Sequence, residues 1–160
     1  MFSGGRCVEV LVLEAKRMFN GEYNHTVDTK GRLIIPTKFR DGLGEEFKVT
    51  RGLDGCLFAF PLGEWEKFEE QLRSLPLTQS NARRFTRFFV AGAMSCELDR
   101  QGRILLPQSL REFAGLEKDV VLTGMINRVE IWDKQRWTDY NASGDMDDIA
   151  EQMSQLGLNI

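Results

Sequence analysis

One motif occurs twice in this chain, and its spacing constrains the fold more than any other feature. Residues 26–40 have the sequence TVDTKGRLIIPTKFR and residues 97–111 have ELDRQGRILLPQSLR, at a constant offset of 71 positions. A second match follows in the same order, between LFAFPLGEW at 57–65 and VEIWDKQRW at 129–137. Two matches in one order indicate the duplication of a module of about 70 residues.

Each copy of the motif predicts a hairpin turn, a buried strand and a short helix. In Asp-x-x-Gly-Arg the Asp can accept backbone hydrogen bonds, and the Gly supplies the positive φ that a tight turn needs. The apolar runs Leu33–Ile35 and Ile104–Leu106 follow as buried strands, and the Pro after each run suits the first turn of a helix. The predicted turn-positioning residues are Asp28, Gly31, Asp99 and Gly102.

The duplication predicts an α+β fold class in which the two modules are related by a pseudo-two-fold axis. A duplicated dimer keeps such symmetry, and we expect the strands that carry Val27 and Leu98 to pair and bury both apolar runs. Residues 1–17 have no counterpart in the repeat, and Met18 resembles a second start, so we expect a non-native or wrongly assigned extension there. The other predicted parts are a first module at 18–77, a connecting helix at 78–93, a second module at 94–142 and an acidic tail at 143–160.

The connecting helix combines aromatic and basic residues. The aromatic side chains have helical spacing, which favours core positions over stacking on nucleic-acid bases. The arginines suit a solvated face or ion pairs between subunits. These residues are Phe85, Phe88, Phe89, Arg83, Arg84 and Arg87.

The acidic tail has the pattern of an amphipathic helix. Asp145 is placed to cap it, and the apolar residues behind that cap form one stripe. Such a stripe packs either on a neighbouring subunit or on its own chain. Its members are Met146, Ile149, Met153 and Leu156.

Charge is unevenly distributed along the chain. The net charge is −3, yet residues 139–160 contain five acidic residues and no Lys or Arg. Basic residues concentrate at 30–40, 83–87 and 100–111. A near-neutral body with local basic regions can bind DNA although the total charge does not suggest it.

Several other functions find no support in the sequence. No apolar run approaches the roughly 18 residues that a membrane span needs, so we expect no membrane contact. The three cysteines are far apart and His25 is the one histidine, which argues against a metal site. A catalytic triad cannot be assembled from these residues. We therefore expect no enzymatic activity, no cofactor and no small-molecule substrate.

The segment MFNGEYNHTVDTKGRLIIPTKFR, which begins at Met18, resembles the start of MraZ proteins. The two Asp-x-x-Gly-Arg elements match that family's paired D-x-x-x-R motifs, and the resemblance extends to about Trp137. It implies two tandem swapped-hairpin, AbrB-like β-barrel modules with short flanking helices. It also implies a cytoplasmic, nucleoid-associated transcriptional regulator that acts on the division and cell-wall gene cluster. Ring-shaped homo-oligomers that bind direct repeats in the promoter are further implications.

Arg32 and Arg103 occupy the motif positions, and we expect them to contact double-stranded DNA. Asp28 and Asp99 have the wrong charge to meet phosphate, so we expect them to fix the turn and orient the arginines. The residues expected to assist on phosphates are Lys30, Arg100 and Lys38.

Three other interpretations remain open. A single Asp-x-x-Gly-Arg element can be a plain hairpin turn with a surface ion pair, which contributes at most about 1 kcal/mol. The chain can also be a ring-forming scaffold whose basic residues are incidental. An AbrB-type antitoxin is the third interpretation, although two fused modules and a short tail argue against it.

Overall fold

The computed structural model describes residues 18–160, so the prediction made for residues 1–17 lies outside it. Pairs of strands alternate with one or two helices along the described chain, and a 3-10 turn at Leu53–Gly55 joins the third strand to the fourth. The strands are β1 (Glu22–Thr26), β2 (Arg32–Ile34), β3 (Glu46–Arg51), β4 (Leu57–Pro61), β5 (Met94–Glu97), β6 (Arg103–Leu105), β7 (Asp119–Gly124) and β8 (Val129–Asp133). The helices are α1 (Thr37–Leu43), α2 (Leu62–Arg73), α3 (Ser80–Gly92), α4 (Gln108–Ala114), α5 (Lys134–Ala142) and α6 (Met146–Gln155).

Six strands form one antiparallel sheet in the order β1-β7-β8-β4-β3-β5, and β2 and β6 form a separate two-stranded ribbon. The α+β fold class is therefore confirmed. The large sheet is not closed, because β1 and β5 lie at its opposite edges. In this respect the structure differs from the closed barrel that the family resemblance implies.

The two modules exchange strands about a pseudo-two-fold axis. β1 of the first module pairs with β7 of the second, and β5 of the second module pairs with β3 of the first. On the axis itself, β4 pairs with β8 and β2 pairs with β6. In the β2–β6 ribbon the repeat-equivalent residues Leu33 and Ile104 lie opposite each other. The modules thus share one sheet and are not separate units on a linker.

The prediction that the strands carrying Val27 and Leu98 pair with each other is wrong. Val27 donates its N–H to the carbonyl of Lys118, and Leu98 donates to Glu45, each at 2.8 Å. Each of these residues therefore bonds to a residue of the other module, at opposite edges of the shared sheet. Val27 is nevertheless buried and forms an isolated antiparallel bridge with Leu33, whereas Leu98 is only half-buried.

The central strand β4 is buried on both faces and separates two apolar clusters. Leu57 and Ala59 face the cluster beneath the β2–β6 ribbon, together with Leu33 and Ile104. Phe58 and Phe60 point to the other side and pack with the helices. This period of two along a strand is what directs alternate side chains to opposite faces of a sheet. The helix-side cluster also contains Trp65, Leu72, Phe89, Val121, Trp132 and the free thiol of Cys56.

The connecting helix is α3, and its aromatic residues are only partly in the core. Phe89 is 1% exposed, which confirms the core prediction for that residue. Phe88 is half-buried, whereas Phe85 is 42% exposed, so the core prediction is wrong for Phe85. Arg83 bonds to the carbonyls of Leu77 and Thr78, both at 3.1 Å.

The acidic tail forms the predicted helix, α6. Asp145 caps its N-terminus by accepting a hydrogen bond from the N–H of Asp147 at 3.0 Å. The apolar stripe of α6 is largely exposed: Met146 is 72% and Leu156 80% exposed. No helix within residues 18–160 has the length and apolar character to cross a membrane.

The alternation of buried and exposed side chains along β2 yields a prediction about stability. Leu33 has no exposed surface at the centre of the ribbon, so Leu33→Ala should lower the free energy of unfolding by about 2–5 kcal/mol. Ile34 is 40% exposed on the outer face, and Ile34→Ala should cost no more than about 0.5 kcal/mol. Chemical denaturation of both variants checks this. Equal costs would contradict the assigned register.

Candidate nucleic-acid interface

The first Asp-x-x-Gly-Arg loop is organised by a single carboxylate. Oδ1 of Asp28 accepts hydrogen bonds from the backbone N–H groups of Lys30 and Arg32, both at 2.9 Å. Oδ2 accepts from Nε of the Arg32 side chain at 2.6 Å. Gly31 takes the positive φ of 83° that closes the turn. One Asp side chain therefore shapes the backbone of the turn and also orients the arginine.

The second loop repeats this arrangement. Oδ1 of Asp99 accepts from the N–H groups of Gln101 and Arg103 at 2.9 Å, and Oδ2 accepts from Nε of Arg103 at 2.8 Å. Gly102 has a φ of 75°. The expected roles of Asp and Gly in the turn thus have the same geometry in both modules.

Both arginines lie on the outer face of the β2–β6 ribbon. Arg32 is opposite Leu105 and Ile34 is opposite Arg103, while Leu33 and its partner face the core. Arg32 and Arg103 are therefore diagonal neighbours, which places their Cα atoms about 7–8 Å apart. Their side chains are 34% and 25% exposed. Ile34 and Leu105 occupy the other diagonal of the same face. Both are apolar and exposed, at 40% and 62%.

The other predicted site residues occupy two different places. Lys30 and Arg100 are exposed residues of the two turns, at non-equivalent positions, because Gln101 is the repeat counterpart of Lys30. Lys38 is exposed in α1, which follows the ribbon and is not part of the turn. The structure thus brings the motif arginines together on one ribbon face, and Lys38 lies on a separate element.

Arg40 and Arg111 connect each module to the loop of the other. Nε of Arg40 donates to the carbonyl of Ile35 at 2.8 Å, and its guanidinium lies so close to Gly102 that a Cβ there would overlap it. Arg111 lies against Gly31 in the same way, where a Cβ would be 2.9 Å from its Cζ. Each glycine is thus required by its φ and also by the arginine packed on it.

Sequence reasoning did not identify these two arginines as part of the site. Arg40 and Arg111 are identical at the offset of 71, and that identity was the available signal. Their contacts cross between modules, so no local pattern indicates which loop each arginine touches. The arrangement makes each loop depend on a side chain of the opposite module.

The hydrogen bonds in the loops change the ionisation of the Asp residues. The backbone N–H of Arg32 is the main group that lowers the pKa of Asp28 below its ordinary value, and its side chain adds to this. The N–H of Arg103 lowers the pKa of Asp99 in the same way. Both carboxylates are therefore charged at neutral pH, and each holds its arginine by a charge-assisted hydrogen bond.

Both halves of the described chain are similar to one known protein family. The family described as "MraZ protein, putative antitoxin-like" matches residues 18–88 and again residues 89–157. The transcriptional regulator MraZ of Acetivibrio thermocellus is 58% identical over 143 residues, which is 88% of this chain and 100% of the relative. The proteins of that name from Clostridium beijerinckii and Clostridium acetobutylicum are each 56% identical over 142 residues, with the same coverage.

The lowered pKa values predict how stability depends on pH. A carboxylate whose pKa is lowered by folding stabilises the fold above its ordinary pKa of 3.8, and that contribution is lost as the pH falls through the folded value. The Asp28→Asn, Asp99→Asn variant should therefore be less stable than wild type at neutral pH, and the difference should shrink below about pH 4. Urea denaturation across this pH range is the measurement. A difference independent of pH would argue against ionised, hydrogen-bonded carboxylates.

The contact between Arg40 and Gly102 predicts that substitutions at these two positions have non-additive effects on the free energy of unfolding. Gly102→Ala should destabilise the fold because of its positive φ and because of the overlap with Arg40. Arg40→Ala removes the overlap, so the double variant should be less destabilised than the sum of the two by about 0.5–3 kcal/mol. The matched control pairs Gly102→Ala with Arg111→Ala, whose free energies of unfolding should add. Coupling in the control pair instead would contradict the cross-module contact.

Proposed function

The chain belongs to the MraZ family, and from that premise we propose that it is a transcriptional regulator that binds DNA through the outer face of the β2–β6 ribbon. The observation that carries the proposal is the pair of Asp-oriented arginines, Arg32 and Arg103, side by side on one exposed surface. Lys30, Arg100 and Lys38 assist by neutralising phosphates.

The chemistry of the arginines supports this function. The bond from Nε to Asp uses one of the five N–H donors of each guanidinium, so the four donors on the terminal nitrogens remain. Two such donors match O6 and N7 of guanine in the major groove. Because Asp28 and Asp99 hold the guanidinium groups before DNA arrives, less side-chain entropy is lost on binding.

The spacing of the arginines also suits DNA. A two-stranded β-ribbon fits the major groove, and neighbouring base pairs are about 3.4 Å apart along the axis. Side chains whose Cα atoms are about 7–8 Å apart therefore address base pairs two or three steps apart. Ile34 and Leu105 lie between the arginines, where exposed apolar groups can contact the methyl group of thymine.

One chain presents only two loops, which is few for tight and selective binding. We therefore propose that the protein acts as a homo-oligomer well above a dimer, in a ring, and binds direct repeats in a promoter. Several ribbons on one DNA then add their affinities through effective concentration. The division and cell-wall gene cluster is the proposed target, and the cytoplasm, at the nucleoid, the proposed location.

The alternative functions account for fewer of these features. A scaffold has no need for two arginines that are each oriented by a carboxylate on an exposed face. The family description includes the term antitoxin-like. Against a toxin-blocking role, the acidic tail here forms a capped helix behind two fused modules, whereas such antitoxins pair one hairpin module with a blocking tail.

Arginine substitution tests the proposed function. The Arg32→Ala, Arg103→Ala variant should lose selective binding to its promoter fragment, at about 1–3 kcal/mol for each arginine in each engaged chain. Lys67→Ala, Arg73→Ala removes the same charge from exposed positions of α2 and should retain selectivity. Lys30→Ala should weaken binding to all sequences alike and reduce the salt dependence. Competition binding against unrelated DNA is the measurement, and wild-type selectivity in the double arginine variant would refute the proposal.

A further inference from the structure

Arg40 and Arg111 carry positive charge that no acidic residue within 18–160 neutralises. The side chain of each donates one hydrogen bond in the described chain, from Nε to the carbonyl of Ile35 or of Leu106, at 2.8 and 3.1 Å. Neither arginine forms an ion pair with a described Asp or Glu. Both residues are half-buried. A charge that is partly removed from water without a counter-charge is unfavourable, so an anion beside each guanidinium would be stabilising.

The packing of each guanidinium on a glycine determines where its other donors point. A Cβ built on Gly31 would be 2.9 Å from Cζ and Nε of Arg111 and 3.1 Å from its Nη2. Such similar distances mean that the flat face of the guanidinium lies on the glycine. Arg40 lies on Gly102 in the same way, with Cζ and both terminal nitrogens about equally close. The N–H groups lie in the plane of a guanidinium, so the four on the terminal nitrogens point sideways from the glycine and can meet a ligand.

The two guanidinium groups lie at opposite ends of the β2–β6 ribbon. Ile35 donates its N–H to the carbonyl of Gly102, and Leu106 donates to Gly31, which places the glycines at the two ends. Gly31 and Ile35 are four positions apart, so at about 3.3 Å per residue the glycines are about 13 Å apart along the ribbon. The motif arginines lie between them. The major groove of B-DNA is about 12 Å wide, so two cations at this separation match phosphates on its two sides.

We infer that Arg40 and Arg111 bind phosphates of the DNA backbone, one on each side of the groove in which Arg32 and Arg103 read bases. This inference rests on the proposed function and adds a phosphate-binding residue at each end of the ribbon. A guanidinium can form two parallel hydrogen bonds to the oxygens of one phosphate. Such contacts fix the position of the ribbon on the duplex and carry no sequence information themselves.

Arg40 and Arg111 differ from the other residues proposed to meet phosphates, because they are oriented before DNA binds. Lys30, Arg100 and Lys38 are exposed side chains. The Nε bond and the glycine beneath each guanidinium already restrict Arg40 and Arg111, so less side-chain entropy is lost on binding. Each of them also lies on the loop of the opposite module, so one phosphate contact bears on both modules.

Removal of the two charges tests the inference. Arg40→Gln, Arg111→Gln should weaken binding to the promoter fragment and to unrelated DNA by the same factor, because phosphates are alike in both. The slope of log affinity against log salt concentration should become shallower by about 0.9 for each lost contact, which is about 2 for each engaged chain. Fluorescence anisotropy with both duplexes over a series of salt concentrations is the measurement.

Two further variants separate phosphate binding from mere support of the loops. Arg40→Lys, Arg111→Lys keeps both charges but lacks Nε, and it should keep the wild-type salt dependence. If the arginines only support the loops, the Gln and Lys variants should both lose selectivity at an unchanged slope. Lys67→Gln, Arg73→Gln removes the same charge from exposed positions of α2 and should bind like wild type.

Circular dichroism checks the fold of each variant. If the double Gln variant unfolds, the single variants Arg40→Gln and Arg111→Gln replace it, and each should change the slope by half as much. Wild-type affinity in the Gln variants, a loss confined to the promoter fragment, or a Lys variant with the slope of the Gln variant would each overturn the inference.

The Arg32→Ala, Arg103→Ala variant, measured in parallel, separates this inference from the proposed function. If that variant loses selectivity while the Gln variant binds like wild type, the inference alone is wrong. If it keeps wild-type selectivity, the proposed function fails, and the inference fails with it.

Discussion

Leu33 and Ile104 lie opposite each other at the centre of the β2–β6 ribbon, and both are sealed from solvent. On either side of this pair, Ile35 donates to the carbonyl of Gly102 and Leu106 donates to Gly31, each at 2.9 Å. Neither module can make these contacts alone, because each strand supplies half of them. Burial of Leu33 and Ile104 holds the ribbon against the core. The reciprocal hydrogen bonds of Ile35 and Leu106 fix the register of its strands. Both Asp-x-x-Gly-Arg loops are thereby held on one surface.

The local features of this arrangement could be predicted from the sequence, because they depend on neighbouring residues. Asp28 shapes its turn through N–H groups two and four residues away, and Gly31 is needed where φ is positive. The apolar runs Leu33–Ile35 and Ile104–Leu106 predicted buried strands, and this is right for the outer residues of each run but wrong for Ile34 and Leu105, which are 40% and 62% exposed. The offset of 71 revealed the duplication, and with it the pseudo-symmetry of the fold.

The partners of these elements could not be predicted in the same way. The symmetry of a duplication predicts that equivalent strands are related by an axis but not that they pair with each other, and the strands that lead to Val27 and Leu98 lie at opposite edges of the sheet. The contact of Arg40 with Gly102 joins residues of different modules, for which the sequence holds no distance information. Phe85 shares its helical spacing with Phe89, yet Phe89 is buried and Phe85 is 42% exposed.

Charged residues are unevenly distributed in this protein, and the net charge does not show that distribution. The two Asp residues of the loops add negative charge to the face where DNA is proposed to bind, but they orient the arginines beside them. Residues 139–160 contain five more acidic residues and no Lys or Arg, away from the loops in sequence. A chain with a net charge of −3 can thus present a ribbon face whose outward donors are cationic.

The account depends most on the claim that the ribbon face is what contacts DNA. A structure of the full chain bound to its promoter fragment, by cryo-electron microscopy or crystallography, tests this most directly. We predict that Arg32 and Arg103 of one chain lie within hydrogen-bond distance of bases two or three steps apart in one major groove, with their bonds to Asp28 and Asp99 intact. A complex in which Arg84 and Arg87 of α3 contact the DNA while the ribbon faces solvent would contradict it.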